Sequence, residues 1–484
     1  MLVGTSAVSA GAVVASFKID VATFGATGDG VTDDAPAIQA ALDHLGRHGG
    51  GTASLSQPKV HYRIAKGLTL PSDVLLEGPA PVRYPFNAGN KGACALVADF
   101  DDIRQWVIEP ATRVKGRAVP FDGLIDDALP EGVTYNCGVR NLLITSKGKI
   151  PFGGIRMHGC PGSFVEGVSI DRVGCALLVN YSFGGSYQVQ AHSLYYGVAA
   201  WDGANANIFE IYCAQSSPWP KTVPREYRLP FMVQMQGHFV DTLKLSTEDH
   251  AIRPYGVLCG SIRSNSISNA FDAVVERFAG GVFLYNAYAT DFRRCYVEGD
   301  TDSMACAVVA SRSRFGIQAF HAFLSGGGAL FDFGIDVLGK VFGSGILNAA
   351  TFGKAPFDDG ASLLMFEGID PAMPGAPSQR GVRYATREVA WMPIALGARW
   401  RPAADGYEAP GVRFDPWSHR IELKGAVTGG GAGALGILPQ PCRPAGRRRY
   451  RVAGGEVDIS PDGVVQVKAE DTVICLDGIS FARW

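Results

Sequence analysis

The densest group of reactive side chains in this sequence is Ser246-Thr-Glu-Asp-His250, with Arg253 and Tyr255 just beyond it. Glu248 and Asp249 converge only if the segment turns; if it stays extended, Glu248 and His250 share a face. A lyase reaction would use His250 or Tyr255 as base and Arg253 to stabilise the developing carboxylate charge. Glycoside hydrolysis instead needs two carboxyl groups, about 5–5.5 Å apart for retention or about 6.5–9.5 Å for inversion. Spacings of 28 residues from Glu248 to Glu276, 22 from Glu276 to Glu298 and 38 from Glu210 to Glu248 bear on that requirement. The catalytic candidates are Glu248, Asp249, His250, Glu210 and Glu298. The substrate-binding candidates are Arg253, Tyr255, Tyr195, Trp201 and Tyr212, with Trp219 and Tyr196 as further rings able to stack on sugar faces. The plain alternative for 246–250 is a solvated turn with a local salt bridge.

Positioning such groups falls to a recurring unit: apolar, two residues, apolar, one residue, apolar. It reads Val139-Leu142-Ile144, Val165-Val168-Ile170, Val240-Leu243-Leu245 and Phe292-Cys295-Val297, with weaker copies at Val189-His192-Leu194 and Ile262-Asn265-Ile267. A further rung near 207–211 brings the period to about 25 residues, the mark of a solenoid whose rungs bury their apolar faces only by stacking. The residue after each unit points outward, predicting a column of Thr145, Asp171, Tyr195, Ser246, Ser268 and Glu298. In that scheme Asp171 and Glu298 stand about five rungs apart, too far to act as a pair. Rungs lie about 4.8 Å apart, so acids one or two rungs apart are the natural pairs, and a long polar face suits an extended polymer.

Composition narrows the classes. The chain has 47% hydrophobic and 19% charged residues, 61 dispersed glycines and a net charge of −2. It is too apolar for disorder and lacks the clustered basic surface that nucleic acid requires. Arg447-Arg448-Arg449 reads as a solvated loop. The ten cysteines show no C-x-x-C spacing, so no metal site and no cofactor are expected; Cys175 and Cys295 read as small buried thiols, compatible with folding in a reducing compartment. Residues 1–17 are uncharged except at the chain terminus, lack the basic start of a secretory signal and are short for a membrane span. They are expected to form an N-terminal arm that contacts a partner, and no membrane insertion is expected.

The chain opens with Phe24-Gly-Ala-Thr-Gly-Asp-Gly-Val-Thr-Asp-Asp34, then a helical stretch Ala35 to Leu45, Gly49-Gly50-Gly51 and short strands at His61–Ile64, Leu68–Leu70 and Val74–Leu76. Thr32, Asp33 and Asp34 offer oxygens to the helix start. These residues, with Ala37-Ile-Gln-Ala-Ala, Tyr62-Arg-Ile and Leu70-Pro-Ser, resemble the opening of the pectate-lyase-superfamily right-handed β-helix shared by phage tailspikes and many polysaccharide-degrading enzymes. The polygalacturonase motif set is missing, which leaves the reaction class open.

Prolines and glycines at 356–381 predict a linker, and short alternating strands follow at 411–414, 421–425, 456–459 and 464–467, with a Ser460-Pro-Asp-Gly463 turn. Trp400, Val412-Arg-Phe, Arg420-Ile-Glu-Leu-Lys-Gly425, Leu438-Pro-Gln-Pro-Cys-Arg-Pro444 and Leu476-Asp-Gly-Ile-Ser-Phe481 resemble the C-terminal β-sandwich of phage tail fibres and tailspikes, with lysine where those carry arginine. The expected architecture is all-β: an arm (1–17), a right-handed parallel β-helix with an N-terminal capping helix (18–350), a linker (351–395) and a C-terminal antiparallel β-sandwich (396–484). The two resemblances together imply a homotrimeric tailspike of a phage or a tail-derived contractile particle. It would be assembled in the host cytoplasm, joined to other tail or baseplate proteins through its arm, and act on a bacterial surface polysaccharide such as capsule or O-antigen. The alternatives are a non-catalytic receptor-binding protein on the same fold and a secreted polysaccharide lyase or hydrolase.

Overall fold

The computed structural model describes residues 17–82, 93–100, 102–114, 117–118, 132–235, 244–245, 248–262, 266–299, 306–324, 328–347, 351–354, 362–367, 382–384, 391–404, 406–415 and 420–482. The expected arm at 1–16 lies outside them.

Asp34 organises the start of the fold. It is fully buried and accepts hydrogen bonds from the Thr27 backbone N–H at 2.6 Å and the Gly28 N–H at 3.3 Å, so it clasps the glycine turn rather than capping the helix by side chain. Asp33 takes the helix-start role, accepting from Ala35 N–H at 3.2 Å. Gly28 is obligatory here: its φ is +60°, and a Cβ would meet Pro58 at 2.8 Å. The helix Ala35–Arg47 buries Ile38, Leu42 and Leu45, covering the end of the main core.

Beyond this cap the chain coils as a parallel β-helix. A first wall of 17 strands and a second of ten are each built from parallel pairings, with a short third wall where Ser266–Ile267 pairs with Ala287–Tyr288. Coils alternate between walls: Cys175–Asn180 lies in the second, Ser186–Ser193 in the first, Tyr196–Trp201 in the second and Ile208–Gln215 in the first.

The three-then-two apolar spacing has a physical cause. Val165, Val168 and Ile170 all face inward because a bulge sits between Val165 and Val168, and Phe292, Cys295 and Val297 do the same across a second bulge. The strand Ser186–Ser193 has no such irregularity against Ile208–Gln215 and alternates strictly, so Tyr187, Val189 and Ala191 face in. His192 therefore points outward, correcting the Val189-His192-Leu194 unit.

Among the described residues the first wall runs directly from Ile208–Gln215 to Ala270–Glu276, with no strand between them, and Ile267 belongs to the third wall. Val240 and Leu243 themselves lie outside the described residues.

Register in the first wall is fixed from inside. Tyr187, Phe209, Phe271 and Phe292 occupy matched positions on successive strands, with ring centroids 5.0, 4.5 and 4.9 Å apart and planes within 26°. Beside them the buried Asn207 donates to Asn269 Oδ1 at 3.1 Å, and Asn269 donates to the Ala204 carbonyl at 2.6 Å. These amides satisfy backbone groups at the corner that turns into each strand.

Parallel pairing continues past residue 350. Leu363–Glu367 pairs with 338–342, and Val382–Tyr384 pairs with 364–366, so the stretch expected as linker carries rungs. The alternating segments that follow form antiparallel sheets of four, five and three strands around Trp400, Phe414, Ile421, Val457 and Phe481. The Gly463 N–H donates to the Ser460 carbonyl at 2.9 Å, closing the expected turn. The arginine run is not a solvated loop: Arg448–Val452 is a strand, and Arg447 and Arg449 flank Asp458 at 2.7 and 3.0 Å.

Removing the middle of the aromatic column tests its role. Phe271→Ala should cost about 3–5 kcal/mol, because burial is lost and a cavity opens between two stacked rings. Denaturant unfolding monitored by circular dichroism measures it.

Candidate functional site

Most of the residues expected to touch substrate are inside the protein. Residues 216–235 and 248–254 leave the coil, contributing Val223, Leu229, Phe231, Met232 and Ala251 to a second apolar core against the outer face of the second wall. Trp201 stacks on Phe231 with centroids 3.9 Å apart and planes 10° apart. Trp201 and Tyr255 are fully buried, and Tyr195 packs against Tyr227 at 4.9 Å. These rings hold the excursion to the wall, so none of the three presents a face to a sugar.

His250 is also buried. Its Nδ1 accepts from the Tyr255 hydroxyl at 2.7 Å and from Arg253 Nη1 at 3.4 Å, which leaves Nε2–H to donate to Asp332 at 3.0 Å. This chain of bonds clamps the excursion onto strand Ala329–Phe333. His250, Arg253 and Tyr255 thus form a structural clamp and not an open catalytic group. Nothing in the sequence marks Asp332, which lies 82 residues from its partner. Glu248 and Asp249 lie in one turn of 3-10 helix, the turned alternative, and their side chains are outside the described residues.

The first wall is where acidic and aromatic groups face outward together. Strand pairing sets Asp171 opposite His192, His192 opposite Ala214, Ala214 opposite Glu276, and Glu276 opposite Glu298. Asp171 and Glu298 keep their expected places, four strand steps apart rather than five. His192, Ala214 and Glu276 replace Tyr195, Ser246 and Ser268, because the 216–254 excursion and the third-wall strand shift the count.

Glu276 and Glu298 are therefore neighbours on adjacent strands, about 4.8 Å apart along the stacking direction. Each receives a phenol hydrogen bond: Tyr212 donates to Glu276 at 2.8 Å and Tyr296 to Glu298 at 2.5 Å. Burial, with Glu298 alongside, pushes the Tyr296 hydroxyl up to about 12, so it stays a donor. Sequence spacing named this pair; only pairing showed that both carboxylates share a face.

Next to the pair opens a crevice of about 680 Å³ lined by Asp171, Arg172, His192, Gln215, Trp219 and Arg277, among others. Trp219 is 45% exposed with φ at +55°, a conformation unfavourable for a bulky residue, and the Arg277 guanidinium lies 5.3 Å from its ring centre. Burial raises the Asp171 carboxyl above the usual carboxylate range, against the opposing pull of the Arg172 N–H and side chain. Burial also lowers the His192 imidazole to about 4.

A second groove of about 690 Å³ lies on the same wall, with Glu166, Gln188, Glu210, Tyr212 and Arg294 in its lining. Gln188 donates to Glu210 at 3.3 Å, while Arg294 is engaged by Asp272 at 2.7 Å. Tyr212 connects the two hollows: it lines this groove, and its ring lies 5.8 Å from that of His192.

No family model and no curated protein matches the chain. Among solved structures it is similar to ORF18 of Geobacillus virus E2, with 11% identity, 96% of this chain and 79% of that chain covered, and a TM-score of 0.37. It is also similar to the Dettilon tailspike protein, with 11% identity, coverage of 96% and 92%, and a TM-score of 0.40. A third likeness is the catalytic unit of a GH87 α-1,3-glucanase from Streptomyces thermodiastaticus, with 12% identity, coverage of 77% and 71%, and a TM-score of 0.40. The parallel β-helix assignment rests on the strand pairing of this chain and not on these likenesses.

Two stability tests follow. His250→Ala should lower stability by about 2–3 kcal/mol, since Asp332 loses its imidazole donor in a buried site. His192 is held neutral in the fold, so its contribution is complete above pH 6.5 and is lost as pH falls toward 4. Between pH 7 and pH 4 the protein should lose about 3 kcal/mol more than His192→Gln, measured by denaturant unfolding at each pH. The raised Asp171 acts in the opposite sense in both proteins and cancels in the comparison.

Proposed function

We propose that this chain binds an extended bacterial surface polysaccharide along the outer face of the first wall and hydrolyses it at Glu276 and Glu298. The observation that carries the reading is the direct register of these two acids, each with a phenol donor, beside a crevice with an exposed tryptophan. One strand spacing, about 4.8 Å, is close to the separation used for retention of configuration.

In that mechanism Glu298, which accepts the shorter phenol bond, attacks as nucleophile, and Glu276 protonates the departing oxygen, then activates water. Glu210 sits in the neighbouring groove as a binding group, hydrogen-bonded by Gln188. The resemblance of residues 24–34 to tailspike openings and of 411–425 to tail-fibre sandwiches supports a place on a phage tail or a tail-derived particle, assembled as a homotrimer.

The test is incubation with capsule and lipopolysaccharide from a panel of bacteria, reading product size and new reducing ends. Glu276→Gln and Glu298→Gln should each lower turnover by about 10²–10⁴-fold while glycan affinity persists. Tight binding with no shortening of any polymer by the unaltered protein would remove the hydrolytic assignment and leave a receptor-binding protein.

A further inference from the structure

We infer that the Trp219 crevice holds a carboxylated sugar unit, which makes the polymer an anionic polysaccharide; this rests on the polysaccharide reading of the same wall. Arg172 and Arg277 are exposed, line the crevice, and among the described residues neither is in salt-bridge contact with a carboxylate. That contrasts with Arg140, Arg294 and Arg314, which are paired with Glu166, Asp272 and Asp336 at 2.9, 2.7 and 2.7 Å. Two guanidinium groups with no salt bridge among the described residues therefore meet at one spot, Arg277 resting 5.3 Å from the Trp219 ring centre.

Both residues are anchored through their backbone. Arg172 and Arg277 occupy the same turn position after their strands, with φ of +54° and +64°. The Arg172 N–H donates to the His192 carbonyl at 3.0 Å and the Arg277 N–H to the Glu298 carbonyl at 2.8 Å. Arg277 thus follows Glu276 in sequence and is tied to the strand bearing Glu298, so a group bound by it lies beside the acid pair.

Guanidinium groups recognise carboxylates through charge-assisted bonds, and Trp219 supplies an apolar surface for the sugar ring that carries the charge. Burial raises the Asp171 carboxyl above the usual carboxylate range, and Gln215 is an amide that donates to the Leu194 and Pro220 carbonyls at 2.8 and 2.7 Å. In contrast, the guanidinium lining the second groove, Arg294, is paired with Asp272 at 2.7 Å, and Glu210 there is hydrogen-bonded by Gln188. The wall accordingly sorts carboxylated from neutral units between its two hollows.

The test uses the full chain carrying Glu276→Gln, with glucuronate- and galacturonate-containing oligosaccharides and the same oligosaccharides after carboxyl reduction, titrated calorimetrically. The carboxylated forms should bind at least about tenfold more tightly. Adding Arg172→Gln and Arg277→Gln should abolish that preference, whereas Trp219→Ala should weaken both forms alike. These exposed positions leave the melting temperature unchanged as a control on folding. Equal affinity for the two forms, a preference that survives the double arginine variant, or no binding of any carboxylated probe overturns the inference. Cleavage of a neutral polymer without carboxylate preference would sink this inference and keep the hydrolase; carboxylate-dependent binding by a protein that cuts nothing would do the reverse.

Discussion

The arrangement depends on strand register in the first wall. A slip of one residue in any rung would turn its outward groups into the core and its core groups into solvent. The buried column of Tyr187, Phe209, Phe271 and Phe292 prevents that slip, because matched rings of this size fit only opposite one another. Glu276 meets Glu298 outside because Val275 meets Val297 inside. The acid pair is therefore a consequence of packing on the opposite face of the same strands.

The two walls divide labour. The second wall carries large outward rings, Trp201, Tyr196 and Tyr255, and the 216–254 excursion covers them with Phe231, Met232 and Leu229. That cover buries apolar surface and is pinned by the His250–Asp332 contact. The same excursion begins with Ser216 to Trp219, which form one side of the open crevice. One segment thus covers one wall and shapes a crevice on the other.

Charge on the open wall is locally balanced and not spread evenly. Glu77, Arg140 and Glu166 alternate along neighbouring strands at 3.6 and 2.9 Å, and Asp272 meets Arg294. Such exposed pairs add little stability but remove net field from most of the surface. Among the described residues, the crevice arginines Arg172 and Arg277 and the groove acid Glu210 stand apart from these pairs.

The amino-acid pattern by itself determined the capping helix, the coil of parallel rungs and the antiparallel strands at the C-terminal end, because each is written in local periodicity and turn residues. It also marked Asp171, Glu276 and Glu298 as outward or correctly spaced acids. It misplaced His250, Tyr255 and Trp201, since a polar or aromatic residue pointing out of a strand looks the same whether solvent or another segment of the chain lies above it. It missed Asp332, which reaches His250 only through folding of distant segments. Tertiary structure alone decided which outward face stayed open: that choice depends on where the excursion packs, a long-range burial of apolar surface that no short window of sequence records.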